Sequence, residues 1–126
     1  AEDWESPIDI KYTKNYPELF VNFETARVTL NNYRGKRDDL IKAMTILNNI
    51  LDSEVNFAPA YREYGRLMIM AGHISYGNHK DGSLGSAESA ILKSISIEPE
   101  YADSYVLLGH LYTRLRDYDK ATESLI

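Results

Sequence analysis

The stretch AESAILKSISIEPEYADSYVLLGHLYTRLRDYDKATESL, residues 87–125, decides the fold. Tyr105, Leu108 and Tyr112 recur at spacings of three and four, so they share one stripe of a helix. Gly109 and Ala121 supply small side chains where two antiparallel helices are expected to touch. Pro99 cannot donate a ladder hydrogen bond and disfavours helix in the residue before it, so the preceding helix must stop there.

Counted from Ala102, the residues Tyr105, Leu108, Gly109, Tyr112, Ala121 and Leu125 occupy the places where a tetratricopeptide repeat sets its aromatic, Leu-Gly pair, second aromatic, small residue and closing apolar residue. The chain therefore resembles a tetratricopeptide repeat protein. A second unit starts at Ala58, with Tyr61, Tyr64, Gly65 and Met68 in the corresponding places. Its later residues Ala87, Ile91 and Ser94 fit only if about ten residues are inserted in the turn, which puts an inserted loop within residues 72–85. A first, degenerate unit starts at Glu24: Leu30, Ala43 and Leu47 match, whereas Arg27, Asn31 and Arg34 stand where the aromatic, the glycine and the second aromatic belong. The resemblance implies an all-α fold, a right-handed superhelix of antiparallel helix pairs with about three repeats, the last truncated.

The local signals fill in this plan. Residues 1–14 show no helical period and are expected to form an extended lead-in to a single helical-repeat domain over 15–126. Asn15 reads as an N-cap, with Pro17 and Glu18 in the first turn. Leu19, Phe20, Phe23, Ala26, Leu30 and Tyr33 give the next helix a wide apolar face, and Gly35 ends it. Asp38 or Asp39 can cap the following helix, whose face is Leu40, Ala43, Met44, Leu47, Ile50 and Leu51. The glycines and the Asn78–Asp81 cluster make the insertion a loop, and Ser83 or Ser86 can cap the helix after it. Six helices result, with Tyr61, Tyr64, Tyr105 and Tyr112 expected in packing between helices.

Composition narrows the function. With 44% apolar and 26% charged residues, the 126-residue chain is an ordinary globular domain. A formal charge of −5 gives no clustered cation for nucleic acid, and neither a membrane span nor a leader is visible. The absence of cysteine removes disulfide, thiolate and cysteine-zinc chemistry. The compartment stays open between cytoplasm and periplasm. No phosphate-binding loop, dinucleotide fingerprint or metallopeptidase spacing occurs. His73, His79 and Asp81 match no metal or general-base motif and read as exposed loop residues, so neither a cofactor nor a catalytic residue is assigned.

What the resemblance implies is a protein-interaction or scaffold module that holds a partner protein or peptide against a concave wall. The alternative is a regulatory or substrate-presenting segment of a larger enzyme, or of a secretion or polysaccharide-export assembly. Carried onto this chain, the wall comprises Thr25, Val28, Thr29, Asn32 and Lys36 of the first unit, Arg62, Glu63, Arg66, Ile69 and Met70 of the second, and Asp103, Val106, Leu107, His110, Thr113 and Arg114 of the third. Arg62, Arg66 and Arg114 are expected to hold carboxylate or phosphate, and Met70, Val106 and Leu107 an apolar anchor. Tyr76 in the inserted loop is the aromatic candidate for a further partner contact. The chaperone-tail clamp of the family is not reproduced: of Val28, Asn32, Glu63, Asp103 and Leu107 only Asn32 agrees, and two acids stand where the clamp requires donors. The apolar surface around Tyr112, Ala121 and Leu125 makes a homodimer through the terminal repeat possible.

Overall fold

The computed structural model describes residues 7–71 and 83–125. They form six helices and no strand: α1 (Pro7–Asn15), α2 (Pro17–Asn31), α3 (Arg37–Ser53), α4 (Ala58–Met70), α5 (Ser83–Ile97) and α6 (Ala102–Leu125). The all-α expectation stands. The residues of the inserted loop from 72 to 82, with Tyr76, His73, His79 and Asp81, lie outside the described residues, as do the side chains of Ala121 and Leu125.

Helix α2 begins with Pro17 at its N-terminal turn, where the missing N–H costs nothing. Its face of Phe20, Phe23, Ala26 and Leu30 is buried against α3, which answers with Leu40, Ala43, Leu47 and Ile50. Gly35 takes φ of 97° between these two helices, a left-handed conformation that a side chain would strain. Phe57, fully buried ahead of α4, stacks edge-on with Tyr12, Tyr16 and Phe23, with ring centroids 5.1 to 6.0 Å apart. Helix α4 is the hub. It touches α2, α3, α5 and α6, and buries residues on nearly every side, including Ala60, Gly65, Leu67 and Ile69.

Gly65 sets the α4–α5 distance, because a Cβ there would lie 2.6 Å from Ile91 Cγ1 and 3.2 Å from the Ala87 carbonyl oxygen. This is the close approach the small-residue pattern predicts at that position. Helices α5 and α6 run antiparallel. Ser94 Oγ meets Ser104 Oγ at 2.7 Å near one end, and Tyr112 Oη donates to Glu88 Oε2 at 2.6 Å near the other.

Several sequence expectations are corrected. The lead-in is helical from Pro7, because Ile8 and Tyr12, one turn apart, pack against the core while Asp9 is held by polar partners from α4 and from Tyr101, just ahead of α6. Asn15 consequently closes α1 rather than capping α2, whose N-cap is Tyr16. Lys36, not Asp38 or Asp39, is the N-cap of α3, and both aspartates lie in its first turn, where the helix dipole favours them.

The largest departure is α6, which runs unbroken to Leu125 instead of giving way to a second, antiparallel helix carrying Ala121. Residues 114–120, RLRDYDK, contain no glycine, proline or asparagine to interrupt the helical ladder. With no returning helix, a Cβ added at Gly109 would meet no described neighbour within 4 Å, and Tyr105 and Tyr112 are 48% and 44% exposed rather than packed between helices.

Candidate functional site

Helices α2, α4 and α6, the first helices of the three units, present side chains to one shared groove. Its central cavity, of about 350 Å³, is lined by Arg27 and Asn31 of α2, by Arg62, Glu63 and Arg66 of α4, and by Asp103, Val106, Leu107 and His110 of α6. The spacing explains why: residues three and four apart share a helix face, so 27/31, 62/66 and 103/107 each point the same way.

An ion network forms the floor. Arg62 is 8% exposed and donates from Nη1 to Asp103 Oδ2 at 2.9 Å, with Glu63 Oε1 at 3.5 Å from its other terminal nitrogen and Asp9 Oδ2 at 3.9 Å. Its guanidinium also lies over the Tyr101 and Phe23 rings, 5.2 and 5.8 Å from their centroids. Burial works against the Arg62 charge, but Tyr101, Glu63, Asp9 and Asp103 outweigh it and its pKa is raised. Glu63, also buried, bridges to Arg66, which in turn donates to Asn31 Oδ1 on α2. Arg27 is paired with Glu24 at 2.8 Å one turn away.

Helix α1 holds this floor from behind. Tyr101 Oη donates to Asp9 Oδ1 at 2.6 Å, and Tyr12 Oη is 2.8 Å from Glu98 Oε2 and 3.2 Å from the Asn56 carbonyl. Lys11 Nζ reaches the same Glu98 oxygen at 2.7 Å. Burial pushes the Tyr101 phenol well above its ordinary 10.0; Arg62 opposes the rise and Asp9 adds to it. Burial and the hydrogen bond to Glu98 raise Tyr12 in the same direction.

The sequence-predicted residues separate into three groups. Arg66, Val106, Leu107 and His110 are brought together in the central groove, and Met70 and Arg114 line a depression that continues from it. Arg62 and Glu63 also line the groove, but as buried members of the ion network; the expectation that Arg62 offers a free fork to a ligand is corrected, because three carboxylates already surround its guanidinium. Asn32 is not in this groove. It lies with Thr25, Val28 and Thr29 in a separate hollow between α2 and α3, so the carried-over wall of the first unit faces elsewhere.

Sequence reasoning missed Arg27 and Asn31, which it had placed at packing positions of a degenerate repeat. A polar pair at i and i+4 was the available signal. It also missed Asp9 and Tyr101, whose roles depend on a contact across 92 residues. Among the described residues no group of three or more His, Asp and Glu stands where it could hold a metal ion, and no helix is long and apolar enough to cross a membrane.

Helix pairs that bring alternate helices to one groove define an all-α, helical-repeat-like fold as the class. The tetratricopeptide repeat family model matches residues 90–123, from within α5 through most of α6. No curated protein and no solved structure matches the chain with significance. Tetratricopeptide repeats are in general protein-interaction modules and typically carry no catalysis of their own.

Proposed function

We propose that this chain binds a segment of a partner protein in the groove between α2, α4 and α6, and acts as a scaffold without performing chemistry. The observation that carries this reading is the position of Val106, 59% exposed on the groove wall next to Leu107. An apolar β-branched residue left in water inside a concavity gains free energy when a ligand covers it, of order 1.5–3 kcal/mol for complete burial. Around it the groove offers fixed polar groups, Asn31, Arg66 and His110, that can orient a peptide backbone or side chain. The buried part of the ion network, Arg62 with Asp103, Glu63 and Asp9, is paired within the protein except at Arg62 Nε, so it serves to hold the wall rather than to meet the ligand.

The test is affinity capture with the parent chain and with Val106→Gln, which keeps the charge and removes the apolar contact. A partner that binds the groove is recovered by the parent and reduced several-fold with the variant, whose thermal unfolding matches the parent. Equal recovery by both would place the partner elsewhere.

A further inference from the structure

The groove is not uniform along its length. At the α6 N-terminal end Arg62 is answered by Asp103 and Glu63. Toward the C-terminal half of α4 it continues into a depression of about 310 Å³ in which Ile69, Met70 and Leu107 are apolar and Arg66, His110 and Arg114 are the basic groups. Among the described side chains, which leave out Leu115 and residues 117–125, no carboxylate lines this end. Arg66 is held in place by Glu63 and Asn31, whereas exposed Arg114 makes no hydrogen bond or ion pair with the described residues.

We propose that this end of the groove takes an acidic-apolar segment of a protein partner: one Leu, Met or Phe side chain on Ile69, Met70 and Leu107, with an Asp or Glu one or two residues away reaching Arg114 and Arg66. The proposal rests on the groove reading above and adds the chemistry of the ligand. Charge complementarity carries it. Two guanidiniums beside an apolar wall attract a carboxylate more strongly than they would on an open surface, because the wall excludes water from one side. Arg114 can meet it with a forked pair of hydrogen bonds, and Arg66, whose Nη1 and Nη2 already donate to Glu63 and Asn31, adds its charge. A basic segment would meet the same charges with repulsion and leave them unpaired. Since the whole chain carries −5, this local basic end also provides the orientation that its net charge would oppose.

The experiment is selection of a random-peptide library on the immobilised full chain, followed by fluorescence anisotropy of the enriched peptides on the parent, Arg114→Glu and Val106→Gln. Arg114 is exposed and unpaired among the described residues, so its reversal should leave thermal unfolding unchanged. The expected result is peptides with Asp or Glu within two residues of Leu, Met or Phe, bound about tenfold more weakly by Arg114→Glu and more weakly at high salt. Peptides that lose affinity in Val106→Gln but have neutral or basic flanks, or that ignore Arg114→Glu, overturn the acidic-apolar assignment and leave the groove reading intact. Failure to enrich any peptide, or binding indifferent to Val106→Gln, overturns both.

Discussion

Adding one methyl group at Gly65 and at Gly109 should move stability in opposite directions, although both glycines hold the same place in their repeat units. At Gly65 the new Cβ would meet Ile91 Cγ1 at 2.6 Å and Ile91 Cδ1 at 3.2 Å. Two carbons rest at about 3.5–4.0 Å, so the groups must part by about 1 Å. Ile91 is fully buried, and its Cγ1 lies too close to the backbone to swing aside without changing rotamer. Overpacking of this kind costs about 1–3 kcal/mol, against about 1 kcal/mol gained in helix propensity over glycine. Gly65→Ala is therefore expected to destabilise by up to about 2 kcal/mol. At Gly109 nothing described lies within 4 Å of the added carbon, so only the propensity gain remains and Gly109→Ala should stabilise by up to about 1 kcal/mol.

Urea titrations followed by far-UV circular dichroism read both changes as shifts of midpoint at constant slope. A third pair of proteins isolates the cause. In an Ile91→Ala background, itself destabilised by about 2–5 kcal/mol, the obstructing atoms are gone and Gly65→Ala should become neutral or stabilising. If Gly65→Ala stabilises the parent as Gly109→Ala does, or costs the same with and without Ile91, the close packing of α4 on α5 is wrong.

Two further outcomes follow from the polar floor. Arg62→Ala removes the cation paired with Asp103 at 2.9 Å and standing 3.5 and 3.9 Å from the buried Glu63 and Asp9 carboxylates, and should cost about 3–5 kcal/mol in the same titration; a change below about 1 kcal/mol would make Arg62 a ligand-facing residue instead. Alkaline pH should weaken the fold, because burial raises the folded-state pKa of both Tyr12 and Tyr101 above the ordinary 10.0. Protonated phenols are thus favoured in the folded protein, their contribution is complete below about pH 10, and each group subtracts about 1.4 kcal/mol per pH unit above it until its folded-state pKa is reached. Urea midpoints at pH 8 and in the alkaline range check this, and the Tyr12→Phe, Tyr101→Phe double variant should start lower at pH 8 and fall less steeply. A steeper fall in the double variant would refute the assignment.

How much could be read in advance differs from place to place for identifiable reasons. The helix faces of α2 and α3 were legible because Phe20, Phe23, Ala26 and Leu30, and Leu40, Ala43, Leu47 and Ile50, repeat with the helical period and are buried as that period requires. Helix α1 was hidden because only Ile8 and Tyr12 carry its packing, two apolar positions in a stretch too short to show a period. In the site, Arg66 of α4 and Val106, Leu107 and His110 of α6, which the repeat register puts on one wall, line the same groove. The α2 face was assigned to the wrong residues because its register rested on a weak match, so Arg27 and Asn31 took the place expected for Asn32.

By itself, then, the sequence determined that α2 to α5 are helical and which apolar faces α2 and α3 bury, since both depend on neighbours three and four residues away. Only the tertiary structure decided which of the arginines are already occupied. Arg62, Arg66 and Arg114 look alike along the chain, yet one is enclosed by carboxylates from α1, α4 and α6, one is held by Glu63 and Asn31, and one is exposed without a described partner. A charge's availability depends on what folding brings within about 4 Å of it, and that information lies in residues tens of positions away.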